Sequence, residues 1–133
     1  MNRKRWIVGV LLVAGLVGGC KKRSEVCHEF ALAVGRADNA FRDLEIAAKQ
    51  QDAAQFATHE RAFRDAMAAL KDLEIDADGL VLDRVTRDRD AMVALEASTV
   101  ESLREQLESG TPPPEESLDL GFKLGHFRNF TCE

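Results

Sequence analysis

This chain of 133 residues contains no tyrosine, one tryptophan and three prolines. The tryptophan, Trp6, lies near the start, so beyond it the seven phenylalanines are the only aromatic residues. Tyrosine and tryptophan are the usual aromatic anchors of binding surfaces, because each joins a large apolar ring to a polar atom. Their near-absence argues against a surface on which sugars stack.

The chain also lacks the common motifs of catalysis. It has no Gly-x-Ser-x-Gly elbow, no phosphate-binding loop and no zinc-protease motif. The sequence therefore predicts a protein that is not an enzyme and that needs no cofactor.

A long hydrophobic run is missing as well. The longest apolar stretch runs from Trp6 to Leu16, which is shorter than the ~20 residues that a membrane-spanning helix needs. The basic residues Arg3 to Arg5 precede it, and Val17-Gly18-Gly19-Cys20 follows it. A basic segment, an apolar segment and small residues before a cleavage site are the parts of a secretory signal peptide.

With its cysteine directly after the small residues, this segment resembles the lipobox of bacterial lipoproteins. The resemblance covers residues 1–20 only. It implies that residues 1–19 are a cleaved signal peptide and that Cys20 is acylated, becomes the new N-terminus and binds membrane lipid. It also implies a cell-envelope protein that faces the periplasm. Lys21 stands where an Asp would retain such a protein in the inner membrane, which favours the outer membrane.

The charges of the mature chain are unevenly placed. Residues 20–23 form a basic collar next to the expected lipid, with Lys21, Lys22 and Arg23. All 23 acidic residues and 12 of the 18 basic residues follow, so residues 24–133 carry a net charge of −11. The collar is attracted to anionic lipid, and each basic residue near the surface contributes about 1 kcal/mol. The acidic body argues against nucleic-acid binding.

Residues 24–133 are long enough for one small domain, and their apolar residues recur at helical spacing. The first stripe comprises Val26, Phe30, Ala33, Val34, Ala37, Phe41, Leu44 and Ala48. The second, over residues 53–73, comprises Phe56, Phe63 and Leu70 with a second row of His59, Ala66 and Leu73. The third, over residues 80–108, comprises Val81, Val85, Met92, Leu95, Thr99, Leu103 and Leu107.

A shorter apolar segment, residues 118–130, follows the run Pro112-Pro113-Pro114, and Asp52 is placed to cap the second helix. Because the connections are short, neighbouring helices are expected to be antiparallel. The predicted fold is all-α: an up-down-up-down bundle of three long helices and one short helix.

Two cysteines remain once Cys20 carries lipid. Cys27 opens the first helix and Cys132 follows the last, so the predicted topology brings both to the same end of the bundle. In an oxidising compartment this pair predicts a disulfide.

Alternatives that involve a metal or haem remain open at this point. His28 and His126 belong to the same predicted end as the two cysteines, and these four side chains are of the types that bind zinc or copper. His59, with Met67 or Met92, provides the ligand types of a non-covalently held haem. In each case the simpler interpretation is structural: surface histidines, a histidine in the helix seam and methionines that fill gaps in the core.

Two functional hypotheses follow. The first is a membrane-anchored envelope lipoprotein with a non-enzymatic role, either structural or in binding another envelope protein. The second is a small periplasmic carrier of a metal or haem. The sequence does not distinguish oligomeric states.

Overall fold

The computed structural model describes residues 23–75 and 80–131, and this part of the chain is helical with no strand. Its elements are α1 (Arg23–Lys49), α2 (Ala53–Lys71), α3 (Leu80–Ala94), α4 (Glu96–Ser109), a 3₁₀ turn (Glu115–Leu118) and α5 (Asp119–Phe127). The predicted all-α helical bundle is confirmed. No helix in these ranges has both the length and the apolar character needed to cross a membrane.

The long helix α1 supplies one wall of the core. Every member of its predicted apolar stripe is buried, from Val26 to Ala48. Positions that recur at spacings of three and four share one face of a helix, and the other elements pack onto that face. The helix also passes through Gly35 without a break.

A tight turn joins α1 to α2. The amide of Asp52 donates to the carbonyl of Ala47 and the amide of Gln51 to that of Ala48, which is the Schellman arrangement. Gln51 adopts φ 54°, a left-handed conformation more usual for glycine. Its side-chain Nε2 donates to the carbonyl of Leu107 at 3.2 Å, which joins this turn to the end of α4. The Asp52 carboxylate accepts from the amide of Gln55 at 3.1 Å and caps α2, as predicted.

Contacts between elements have the order expected of antiparallel neighbours. Between α1 and α2, Phe41 contacts Phe63 with ring centroids 5.9 Å apart, and Asp43 lies 4.0 Å from His59. A residue farther along α1 therefore meets one nearer the start of α2. The same order holds between α2 and α4, where Glu60 pairs with Arg104 and Arg64 with Glu96.

The predicted seam of α2 is confirmed in its first row and shifted in its second. Phe56, Phe63 and Leu70 are buried, whereas His59, Ala66 and Leu73 are only partly buried. Met67 is buried beside the first row, in the role of a core residue.

The predicted third helix is interrupted at Leu95, so that α3 and α4 replace one continuous helix. The amide of Leu95 donates to Met92, three residues back, rather than to the residue four back. The hydroxyls of Ser98 and Thr99 both donate to the Leu95 carbonyl, at 3.2 and 2.7 Å. The Thr99 amide also donates to that carbonyl, so α4 begins there, and such additional side-chain hydrogen bonds often accompany a bend in a helix. Of the predicted stripe, Val85, Met92, Thr99 and Leu103 are buried, Leu95 and Leu107 are partly buried, and the side chain of Val81 lies outside the described part.

One arginine of the charged run in α3 has a structural role. The Nη1 atom of Arg89 donates to the carbonyls of Leu70, Lys71 and Leu73, the last at 2.8 Å. These carbonyls lie at and just beyond the end of α2, where carbonyls lack helical partners. The side chain of Arg89 is accordingly only 13% exposed.

The C-terminal helix α5 and the residues that follow it pack against α1. Phe127 and Phe130 both contact Phe30 edge-on, at centroid distances of 5.9 and 5.7 Å. Near the start of α5, Gly121 approaches the Phe41 ring of α1 so closely that an added Cβ would lie 2.5 Å from a ring carbon. This close approach brings α5 and the 3₁₀ turn to the side of α1 on which a groove forms.

Candidate interaction groove

The predicted lipidation and disulfide residues are only partly covered by the structure. Cys20 and Cys132 lie outside the described residues. Cys27 is 2% exposed, in a small apolar cluster with Val26 and Leu82, and Phe130 packs against that cluster.

The predicted metal ligands do not form a site within the described ranges. His28 and His126 are exposed, and the His126 ring packs edge-on against Phe127 at a centroid distance of 4.9 Å. Across residues 23–75 and 80–131, no three His, Cys, Asp or Glu side chains are grouped so as to hold a metal.

The residues considered for a haem have other surroundings. The side chain of His59 is 29% exposed and its Nδ1 lies 4.0 Å from a carboxylate oxygen of Asp43. Met67 and Met92 are buried in the main hydrophobic core.

One concave feature of the described residues is a groove between the second half of α1 and the chain that follows α4. It consists of two adjoining depressions of about 240 and 550 Å³, which share Arg42, Glu45 and Leu118. We call both together the α1 groove. The first is also lined by Asp38, Phe41, Gly121 and Phe122, and the second by Ile46, Lys49, Gln106, Pro112 and Pro113.

A buried carboxylate lies at the inner end of the α1 groove. Asp38 lies on the core side of α1 and is only 2% exposed, although its side chain is a carboxylate. Arg128 donates to its Oδ2 at 2.8 Å, and Arg42, one turn farther along the helix, lies 3.4 Å from the same oxygen. A buried charge is tolerated when it is paired and hydrogen-bonded, and these contacts meet that need. The pair also fixes the end of α5 to the middle of α1.

A second carboxylate, Glu45, is half-buried in the wall of the α1 groove. Burial raises the pKa of Glu45 and the nearby Asp38 charge raises it further, while Arg42 and Lys49 act in the opposite direction. Desolvation outweighs the cations, so this part of the groove is partly shielded from water.

The rim of the α1 groove is apolar and exposed. Ile46 lines the larger depression and is 52% exposed, and Phe122 lines the smaller one and is 68% exposed. Leu118, which both depressions share, and Pro113 are partly buried, and Pro112 is exposed. Apolar side chains gathered at a depression are typical of contact sites, whereas single exposed apolar residues are common on any surface.

Sequence reasoning missed the α1 groove for two identifiable reasons. Asp38 follows Ala37 of the apolar stripe, and the residue that hydrogen-bonds its buried carboxylate, Arg128, is 90 residues away in the sequence. Phe122 lies within the apolar segment of residues 118–130, which the sequence predicts to be one helix. Leu120 and Leu124, four residues apart, are the ones that α5 buries, and Phe122 lies on the other side. The four-residue spacing of Leu120 and Leu124 is visible in the sequence and indicates which side of α5 is buried.

Comparisons with protein-family models, curated proteins and solved structures find no match to this chain.

Proposed function

We propose that this chain is an envelope lipoprotein, anchored through an acylated Cys20, whose helical bundle is a non-enzymatic docking module for another envelope protein. The observation that carries the anchor is the order of residues 3–20: basic residues, a short apolar run, and Val17-Gly18-Gly19-Cys20. The proposed location is the periplasmic face of the envelope, with the outer membrane favoured by Lys21.

The basic collar gives the anchor a second point of attachment. Basic residues beside the acylated cysteine strengthen its attachment to an anionic lipid surface, by about 1 kcal/mol each. The acidic body then projects away from the lipid. From Arg23 to Ile46, α1 rises about 35 Å at 1.5 Å per residue, so the α1 groove lies far from the end next to the collar.

The composition of the α1 groove supports docking over catalysis. Among the described residues that line it, there is no Ser, Thr, Cys or His, the side chains most often used as nucleophile or base. Its exposed Ile46 and Phe122 provide the apolar contact area that a partner would cover.

A disulfide between Cys27 and Cys132 completes the proposal. Cys27 lies in the apolar cluster against which Phe130 packs, and Cys132 follows Phe130 by two residues. Two extended residues reach about 7 Å, which is comparable to the Cα separation of a disulfide. The bond would close a loop of about 100 residues, which stabilises a domain by about 4–5 kcal/mol in the chain-entropy model.

The anchor is tested by metabolic labelling with a clickable palmitate analogue followed by membrane fractionation. The natural chain should take up the label and remain with membranes after a salt wash. Cys20→Ser should lose both the label and the membrane attachment, while Cys27→Ser should keep them. A Cys20→Ser protein that stays on washed membranes would contradict the proposal.

The docking role is tested against the carrier hypothesis on protein isolated from its native membranes. Metal analysis and an absorption spectrum should reveal neither stoichiometric metal nor a chromophore. Either one, present at one equivalent per chain, would favour the carrier function instead.

A further inference from the structure

We propose that the α1 groove binds a short segment of an envelope protein in which an apolar side chain is flanked by carboxylates. This inference rests on the docking role proposed above and specifies the chemistry of the partner. It follows from three properties of the groove: its row of side chains on α1, the charges already neutralised within it, and the backbone of its opposite wall.

The row on α1 places an apolar side chain between two cations. Arg42, Ile46 and Lys49 are separated by four and three residues, so they follow one another along one face of the helix. From Arg42 to Lys49 the helix rises about 10 Å. Arg42 is 60% exposed, Lys49 is exposed and Ile46 is 52% exposed, so all three are accessible to a partner.

The charges facing outward are mainly positive. The Asp38 carboxylate is buried and already accepts from Arg128 at 2.8 Å, so it does not balance a charge outside the groove. Glu45 is half-buried in the wall and faces both Arg42 and Lys49. Arg42 also lies 3.4 Å from the Asp38 carboxylate, so Arg42, Lys49 and Arg128 together face two carboxylates, and one positive charge remains unbalanced.

The acidic body around the α1 groove restricts which partner can approach. Residues 24–133 carry a net charge of −11, so a partner acidic over its whole surface is repelled. Carboxylates confined to the segment that enters the groove meet Arg42 and Lys49 while avoiding that repulsion. The fitting partner is thus neutral or basic overall, with acidic residues limited to its docking segment.

The opposite wall favours recognition through side chains. Pro112 and Pro113 have no amide hydrogen, so this stretch cannot donate the backbone hydrogen bonds of an added strand. Leu118 instead offers apolar surface in the same depression as Ile46, and Phe122 extends that surface into the adjoining depression. In an extended peptide, side chains two and four residues apart lie on the same face, about 7 and 13 Å from one another, and this range includes the spacing of the two cations.

The test uses the full-length protein, isolated from membranes and held in lipid nanodiscs, and three fluorescent dodecapeptides. Each peptide has a central Leu-Phe pair, flanked on both sides by glutamate, by lysine or by serine. Fluorescence anisotropy should show that the glutamate-flanked peptide binds at least tenfold more tightly than the lysine-flanked peptide. Lys49→Glu should reduce or reverse that preference, whereas Arg36→Glu, an exposed cation outside the groove on the same helix, should leave it unchanged.

A matched pair of apolar variants tests the location. Ile46→Ser should weaken binding of the glutamate-flanked peptide by tenfold or more, and so should Phe122→Ser. Leu32→Ser should leave binding unaltered, although Leu32 lies on the same helix and is 49% exposed, close to the 52% of Ile46. Circular dichroism of each variant verifies that the bundle remains folded.

Several results would overturn the inference. These are no binding by any of the peptides, equal or tighter binding of the lysine-flanked peptide, or the same loss in Leu32→Ser as in Ile46→Ser. Self-association that Phe122→Ser abolishes would make a second copy of this chain the occupant instead. None of these results depends on palmitate labelling at Cys20, so failure of the anchor and failure of the groove are separate outcomes.

Discussion

Replacing Arg128 by glutamine should destabilise the bundle far more than replacing Arg42 by glutamine. Both guanidinium groups contact Asp38, at 2.8 Å from Arg128 and 3.4 Å from Arg42. Arg128 is 33% exposed and makes the hydrogen bond, whereas Arg42 is 60% exposed. Without Arg128, the 2%-exposed carboxylate keeps only its weaker partner.

The expected loss of unfolding free energy follows from how deeply each charged group is buried. Removing one partner of a fully buried pair costs about 3–5 kcal/mol, because it leaves an uncompensated buried charge. Here Arg42 remains and Arg128 is partly hydrated, so we expect about 2–3 kcal/mol for Arg128→Gln. Arg42→Gln removes an exposed ion pair and should cost less than about 1 kcal/mol.

The order of effects provides an internal control. Asp38→Asn removes the buried charge and returns both arginines to water, so it should cost only about 1 kcal/mol. Adding Arg128→Gln to Asp38→Asn should then cost little more, which gives a double-mutant cycle with a coupling of about 2–3 kcal/mol.

Urea unfolding followed by far-ultraviolet circular dichroism measures these differences. Fluorescence is unsuitable because the chain has no tyrosine and its one tryptophan, Trp6, belongs to the expected signal peptide. In thermal unfolding, Arg128→Gln should lower Tm by about 10 °C, since each kcal/mol shifts the Tm of a domain this small by several degrees. Equal effects of Arg128→Gln and Arg42→Gln, or additivity with Asp38→Asn, would refute the reasoning.

Three further predictions concern packing, charge and the disulfide. Gly121→Ala should lower stability by about 1–3 kcal/mol because its Cβ meets the Phe41 ring, whereas Gly125→Ala, with open space, should raise it by about 0.5–1 kcal/mol; thermal unfolding measures both. Since burial raises the pKa of Glu45 above 4.5, folded protein binds its proton more tightly, and stability should fall as pH rises from 4.5 through the folded pKa. Glu45→Gln should remove that part of the fall in urea titrations across pH. Non-reducing peptide mapping should find Cys27 linked to Cys132, and two free thiols in protein from the envelope would contradict this.

Much of the fold was accessible from the sequence because the apolar stripes are long and regular. The α1 stripe is buried as the spacing predicts, and Asp52 caps α2 through a local hydrogen bond that its position alone anticipates. Such features depend on neighbours within a few residues. The anchor at Cys20 stays a prediction, since it lies outside the described residues.

The break at Leu95 shows where pattern reasoning was insufficient. The apolar spacing continues across it, but the Leu95 amide donates three residues back, and Ser98 and Thr99 add side-chain hydrogen bonds to its carbonyl. Both hydroxyl residues were visible in the sequence, yet their choice of acceptor was not.

The α1 groove depends on contacts between distant parts of the chain. Asp38 and Arg128 are 90 residues apart, and the apolar rim joins Ile46 of α1 to Phe122 of α5. No local spacing links these residues. Periodicity indicates which side of a helix is buried, but not which exposed residues the tertiary packing gathers at one depression.

The central claim is most directly tested by the intact mass of the protein isolated from its native membranes. The account predicts a chain that begins at Cys20 and carries a diacylglyceryl group there, with further acylation of its amino group if the host performs it. A chain that retains residues 1–19, or one that begins at Cys20 without lipid, would contradict the account.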